Sequence, residues 1–181
     1  LMVLCLPSLA GASSAPATHE FRLDNGLKLI VREDHRAPVV VSQLWYKVGS
    51  SYETPGKTGL SHALEHMMFK GSAKLGPGES SRVLRELGAE ENAFTSDDYT
   101  AYYQVLASDR LSVAFELEAD RLASLRLPPE EFKREIEVIK EERRLRTDDK
   151  PAGKAYERFQ ALAFPASGYH TPTIGWMADL E

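Results

Sequence analysis

The sequence predicts an α+β domain in which helices pack on one face of an antiparallel or mixed sheet. Three observations indicate this class: β-branched and aromatic runs in the first 106 residues, several longer amphipathic segments, and no repeat or low-complexity linker between them. The chain has 181 residues, of which 43% are hydrophobic and 27% are charged. This length and composition are typical of one globular domain with a sizeable core.

The first predicted elements are strands. Asp24-Asn25-Gly26 separates the apolar runs 21–23 and 27–31, and this is a strong hairpin signal because Asn-Gly tolerates the positive φ angles of a tight turn. Segments 39–48 and 99–106 predict further strands. Apolar periodicity predicts five helices, at about 58–70, 80–87, 109–126, 130–147 and 152–163.

The most informative segment is the pentapeptide His62-Ala63-Leu64-Glu65-His66. On a helix, side chains four residues apart lie on one face about one turn from each other, so both imidazoles and the carboxylate converge. Zn²⁺ binds neutral imidazoles, and a catalytic zinc site uses three protein ligands and leaves one position for water. H-x-x-E-H is also the inverzincin pattern. The pentapeptide therefore indicates a zinc site that needs a third protein ligand.

A His pair with this spacing is, by itself, more often a surface pair or a core pair than a metal site. Its apolar surroundings favour the metal, because they predict a largely buried helix between Pro55-Gly56 and Gly71. These apolar residues are Leu60, Ala63, Leu64, Met67 and Met68. Burying three titratable groups without partners costs several kcal/mol, so a metal ion is their simplest common partner.

The third ligand is expected in the charged segment 129–147. Glu135 and Glu142 share one helical stripe with Phe132 and Ile139, so both carboxylates are expected to point inward. Glu142 is the better ligand candidate by this pattern. Glu141 stays open as an alternative, because apolar residues also flank its own stripe.

The basic residues of the same segment are expected on a solvated face. Acids within the helix match Lys140, Arg143, Arg144 and Arg146, as in helices with many i,i+4 pairs. The net charge of the chain is −5. Neither observation favours a nucleic-acid partner.

Three segments carry a family resemblance: residues 59–71 with the pentapeptide, Asn92-Ala93-Phe94-Thr95, and Glu135 to Glu142 with Arg143 and Arg144. With them, the chain after residue 18 resembles the N-terminal part of pitrilysin/insulinase-type zinc peptidases and is similar to bacterial relatives of the mitochondrial processing peptidase β subunit. The resemblance implies one zinc ion bound by His62, His66 and Glu142. It also implies that Glu65 is the general base and that Glu135 is a supporting carboxylate.

The resemblance also implies how substrate binds. An extended peptide would add to an exposed edge strand near the zinc ion, with Asn92 and Ala93 contacting its backbone. From the pattern alone, residues 89–106 are an ordinary hairpin. Family members carry a second, similar domain in the same chain or in a partner subunit. We therefore expect residues 18–181 to be a truncated N-terminal zinc peptidase domain that works with such a second domain.

Residues 1–17 differ in kind from the rest. They carry no charge, begin with an apolar run and contain Ala10-Gly11-Ala12 and Ala15-Pro16-Ala17, which resemble signal cleavage sites. We interpret them as a signal-peptide remnant, too short to span a membrane, and expect export to a bacterial periplasm. A disordered apolar tail is the alternative. Cys5 is the only cysteine, and a lipid anchor there is disfavoured by the preceding Val3-Leu4.

These features together predict a zinc metalloendopeptidase that acts on extended peptides or proteins outside the cytoplasm. The main alternative is a non-catalytic subunit of the same fold that binds peptides or a partner. The retained metal residues and Glu65 disfavour it. A structural zinc site is a second alternative, but such sites have four ligands, often cysteines, and residues 18–181 contain none.

Overall fold

The structure is a computed structural model and describes residues 17–181. The predictions for residues 1–16, including most of the signal-peptide remnant and Cys5, lie outside the described residues. The chain divides into two compact units, the first ending at Pro38 and the second comprising Val39–Glu181.

The first unit contains the predicted hairpin. Strands β1 (Thr18–Arg22) and β2 (Lys28–Arg32) pair antiparallel, with Thr18 opposite Arg32. Gly26 has φ +89° in the turn, and the side-chain oxygen of Asn25 accepts a hydrogen bond from the Leu27 amide. The Asn-Gly turn is confirmed by this geometry.

The second unit has a three-stranded antiparallel sheet. Its strands are β3 (Val39–Tyr46), β4 (Glu90–Thr95) and β5 (Thr100–Ala107), in the order β3-β5-β4. Strand β5 is therefore central, and among residues 17–181 β4 has a strand neighbour on one side only. The predicted hairpin of residues 89–106 is confirmed, and β4 is an edge strand of this sheet.

Six α-helices follow or separate these strands in the described residues. They are α1 (Leu60–Met67), α2 (Glu79–Glu86), α3 (Leu111–Ser124), α4 (Pro129–Arg143), α5 (Pro151–Ala163) and α6 (Met177–Leu180). Helix α4 ends earlier than predicted, because the chain continues as a π-helical stretch, Arg144–Asp148. Between residues 17 and 181, no helix combines the length and apolarity needed to cross a membrane.

Helices cover one face of the sheet, as the predicted fold class requires. Helices α1, α2 and α3 contact the strands of the second unit. Tyr102, Gln104 and Leu106 of β5 are buried, whereas Val41 and Trp45 of β3 are exposed. The α+β class is confirmed, and its strands form a hairpin and a separate three-stranded sheet.

A second core joins α1 to α4. Ala63, Ile139 and Leu180 are buried together, and Ile136 and Ile174 pack against them. Burial of an isoleucine side chain stabilises the folded state by about 1.5–3 kcal/mol. This packing fixes the α1–α4 pair, the two helices that carry the predicted metal ligands.

The start of α1 is set by backbone geometry at Gly59. This glycine has φ +86°, a left-handed conformation that interrupts the helix predicted from residue 58. A Cβ atom there would lie 2.8 Å from the carbonyl oxygen of Ile174. Gly59 has no side chain to cap the helix. The Glu53 carboxylate instead accepts hydrogen bonds from the amides of Gly59 and Ser61, at 2.7 and 2.6 Å, and so satisfies the first free amides of α1.

Two predictions about burial are wrong. Leu60 is 50% exposed and Leu64 is 41% exposed, so α1 buries only the side that carries His62, Ala63 and Met67. Arg143, expected on a solvated face, is 4% exposed. Its guanidinium pairs with Glu157 of α5 instead.

Candidate active site

Helices α1 and α4 bring three ligand side chains together. The rings of His62 and His66 lie on the same face of α1, with centroids 4.7 Å apart. Glu142, in the last turn of α4, places Oε2 3.6 Å from Nε2 of His62 and 3.5 Å from Nε2 of His66. The donor atoms of these three residues all lie within 4.8 Å of one another.

The chemistry of this donor set fits zinc. Tetrahedral ligands at about 2.0–2.1 Å from an ion lie roughly 3.3 Å from each other, near the observed separations. These separations also exceed ordinary N–H···O hydrogen-bond lengths. Burial lowers the pKa of His62 to about 4, against the opposing effect of Glu142. Its imidazole is therefore neutral at pH 7, as metal ligation requires.

Glu135 holds one of the two imidazoles. Its Oε2 lies 3.0 Å from Nδ1 of His66, and its Oε1 lies 2.5 Å from Nζ of Lys70. Burial raises the pKa of Glu135, but the hydrogen bonds from Lys70 and His66 outweigh burial and the net pKa is lowered. An ionised carboxylate only accepts hydrogen bonds, so Nδ1 of His66 donates and its Nε2 lone pair faces Glu142.

His62 has no comparable support among residues 17–181. Its Nδ1 is buried and has no hydrogen-bond partner there. The two imidazoles thus differ in how their orientation is fixed: His66 by a carboxylate, and His62 by packing within the buried face of α1.

Helical periodicity left both Glu141 and Glu142 as candidates for the third ligand, and the structure distinguishes them. Glu141 is exposed and pairs with Arg144 at 3.0 Å. Glu142 faces the imidazoles with Oε2, and its Oε1 lies 2.9 Å from Nη1 of Arg146. The turn of α4 that packs on α1 therefore presents Glu142, rather than Glu141, to the histidines.

Glu65 lies beside this cluster and points toward the sheet. The hydroxyl of Thr95, the last residue of β4, donates a hydrogen bond to Oε2 of Glu65. Burial raises the pKa of Glu65, and the Thr95 hydrogen bond opposes that effect. A raised carboxyl pKa brings the group closer to the range that suits a general base at neutral pH.

A cleft of about 900 Å³ opens over these side chains. It is lined by the metal-ligand candidates, Glu65, the residues 92–95 of β4, and parts of the π-helical stretch, α5 and the segment 170–174. Asn92 and Ala93 thus lie on an edge strand that borders the cleft, where the family resemblance placed them. The side-chain oxygen of Asn92 accepts a hydrogen bond from the Ala93 amide at 2.9 Å. The cleft is within the size range of ligand sites in proteins.

Three further residues support the site and were not assigned a role from the sequence. Thr95 contacts Glu65, Lys70 contacts Glu135, and Arg146 contacts Glu142. The i,i+4 spacing from Glu142 to Arg146 was a usable signal. No such local signal exists for Thr95, because it is thirty residues from Glu65 and reaches it only through the fold.

A comparison with known families decides which group of proteins this geometry belongs to. The family profile described as "Insulinase (Peptidase family M16)" matches residues 28–169. The chain belongs to the insulinase family. A zinc protease, PqqE, of Helicobacter pylori is 37% identical over the whole of this chain. The β subunit of the mitochondrial processing peptidase of Bos taurus is 36% identical over 70% of it.

Solved structures agree with this assignment. A protease from Helicobacter pylori matches 91% of the chain with a TM-score of 0.87 and 38% identity, and pitrilysin matches 94% with a TM-score of 0.77 and 26% identity. The pitrilysin-type fold expected from the sequence is confirmed. The chain spans 41% of the length of the Helicobacter zinc protease and 26% of the bovine subunit. Of the two matched structures it covers 40% and 18%.

Proposed function

We propose that this chain is the zinc-binding N-terminal domain of a metalloendopeptidase that hydrolyses peptide bonds. The observation that carries this proposal is the convergence of His62, His66 and Glu142 within 4.8 Å, in a cleft that also contains Glu65. Membership of a peptidase family, and relatives that are themselves named zinc proteases, support the same function. One zinc ion per domain would be held by the three ligand atoms.

The residues around the ion divide the work of hydrolysis. A zinc ion supplies Lewis acidity, which lowers the pKa of water and polarises the scissile carbonyl group. Glu65 accepts the proton of the attacking water and later donates it to the leaving amine. Glu135 keeps the Nδ1 proton on His66, so that Nε2 remains a ligand. One anionic ligand leaves the site with net positive charge, which favours a developing oxyanion.

Substrate is proposed to bind as an extended strand beside β4. An edge strand has backbone groups free to pair with a peptide, and β4 borders the cleft at Asn92 and Ala93. This form of recognition reads backbone shape more than side chains. A second pitrilysin-type domain, in the same polypeptide or a partner subunit, would enclose the peptide from the other side. Residues 1–17 support export of the protein, with the periplasm as the proposed location.

The metal ligands are tested by elemental analysis of purified variants. His62→Ala, His66→Ala and Glu142→Gln should each lose bound zinc, while Glu141→Gln, one residue away on the exposed side of α4, should retain it. Full zinc occupancy in Glu142→Gln, together with loss in Glu141→Gln, would overturn the choice of third ligand.

The activity is tested on the full-length protein that contains this chain. Cleavage of an unstructured peptide should stop after chelation and return when zinc is restored. Zinc binding at full stoichiometry without any cleavage, with every expected domain and partner present, would instead support the alternative of a non-catalytic peptide-binding or partner subunit.

A further inference from the structure

The side chain of Thr95, at the end of β4, contacts the proposed general base Glu65. Its hydroxyl donates to Oε2 of Glu65 across an interface between β4 and α1. Ala93 and Thr95 are both half-buried alternate residues of β4, whereas Asn92 and Phe94 between and beside them are exposed. The pleat of β4 therefore presents Thr95 to the helix that carries Glu65.

The neighbours of Thr95 leave its proton free for Glu65. Thr100, its cross-strand partner, donates its own hydroxyl proton to the carbonyl oxygen of Val48 at 3.0 Å. The separation between the two threonine hydroxyls is 3.4 Å, a weaker contact. A hydroxyl has one proton, so the strongest hydrogen bond available to Thr95 as a donor is the bond to the Glu65 carboxylate.

Without that bond, Glu65 has another partner nearby. It precedes His66 directly and is three residues from His62 on the same helix, and a carboxylate oxygen is itself a zinc ligand. A base that joins the ligand set no longer accepts a proton from water. Tying Oε2 to the end of β4 keeps this carboxylate toward the sheet that borders the cleft, away from the ligand atoms.

We propose that Thr95 is a positioning residue that orients Glu65 for proton transfer and keeps it out of the zinc ligand set. The inference rests on the proposed function and extends it, because it links the edge strand that would receive the peptide to the base that would serve its cleavage. Thr95 acts only through Glu65 in this assignment, so it is a positioning residue rather than a catalytic one.

The test uses the full-length, zinc-loaded protein with Thr95→Val, which keeps the shape and removes the hydroxyl, and Thr95→Ser, which keeps the hydroxyl. Thr95→Val should lower kcat at least about tenfold, within the roughly 10²–10⁴-fold that a general base contributes, and change KM less than threefold. Zinc content should remain at the parental level. Thr95→Ser should restore kcat to within threefold of the parent.

Thr100→Val is the control for stability loss alone, and its kcat should stay within threefold of the parent.

A second readout does not depend on activity. In the zinc-free protein, Thr95→Val should lower Tm by a few degrees, and the same change in a Glu65→Ala background should lower it by less than about one degree, because the partner is absent. Equal shifts in both backgrounds, or a kcat of Thr95→Val within twofold of the parent, would refute the positioning role. If the parent cleaves no peptide, the proposed function fails, while the Tm comparison still decides whether Thr95 and Glu65 are coupled.

Discussion

Replacement of Arg143 by methionine is expected to destabilise the chain strongly. The guanidinium donates from Nη1 and Nη2 to the two carboxylate oxygens of Glu157, at 2.7 and 2.9 Å, and Nη1 also donates to the carbonyl oxygen of Gly175 at 2.8 Å. Arg143 therefore joins the last turn of α4 to α5 and to the segment before α6. Methionine keeps an unbranched apolar stem like that of arginine but is shorter and has no hydrogen-bond donor.

The expected loss of stability follows from how deeply the side chains of Arg143 and Glu157 are buried. Arg143 is 4% exposed, and the side chain of Glu157 is 14% exposed. Removing one partner of a buried ion pair leaves the other charge and a carbonyl group without a donor, which costs about 3–5 kcal/mol. This is a large fraction of the ~5–15 kcal/mol by which domains are stable. Arg144, the next residue along the chain, provides a matched control, because its pair with Glu141 is exposed and worth ~0–1 kcal/mol.

The assay is chemical denaturation of the parent, Arg143→Met, Arg144→Met and Glu157→Gln. Arg143→Met should reduce the free energy of unfolding by about 3–5 kcal/mol with little change in the denaturant slope, and Arg144→Met by under about 1 kcal/mol. Glu157→Gln should be destabilising, and combining it with Arg143→Met should add less than the sum of the two losses. A loss below about 1 kcal/mol in Arg143→Met, or equal losses in the two arginine variants, would refute the structural role assigned to this pair.

Three further outcomes are expected. Glu65→Gln should keep zinc and bind peptide but lose turnover by roughly 10²–10⁴-fold, and cleavage within threefold of the parent would show that Glu65 is not the base. Glu135→Gln should weaken zinc binding by about 10–100-fold in a chelator competition, because a neutral amide accepts the His66 hydrogen bond less strongly than a carboxylate does. The control is Glu137→Gln, at an exposed position of the same helix, which should bind zinc normally. Equal zinc affinities of the two variants would contradict the support of His66 by Glu135. Residues 1–181 alone, even when loaded with zinc, should cleave peptides with a kcat/KM orders of magnitude below that of the assembly with the second domain, because one edge strand does not enclose a substrate. Equal kcat/KM values at matched zinc occupancy would argue against the need for a second domain.

Local sequence patterns were sufficient for most elements of the fold and for the two histidines of the candidate site, but they did not predict helix α6 or the π-helical stretch. The Asn-Gly turn and the helix punctuation around α1 depend on φ preferences of single residues, and the structure confirms both, with shifts of a few residues at the helix ends. His62 and His66 share a face because four residues complete about one helical turn, whatever the helix packs against. The exposure of Leu60 and Leu64 was predicted wrongly, since apolar composition alone does not show which side of a helix finds a partner.

Only the tertiary structure decided the rest of the site. Periodicity left Glu141 and Glu142 open, and the packing of α4 on α1 places Glu142 at the imidazoles, in agreement with the family resemblance. Glu135 and His66 are sixty-nine residues apart, and Thr95 and Glu65 are thirty apart, so no helical or strand period relates them. Arg143 and Arg144 are identical, adjacent residues in the same charged segment, yet Arg143 is buried and Arg144 is exposed. The physical reason is common to all of these cases: a period fixes the direction of a side chain relative to its own element, whereas its partner is fixed by the packing of a second element against the first.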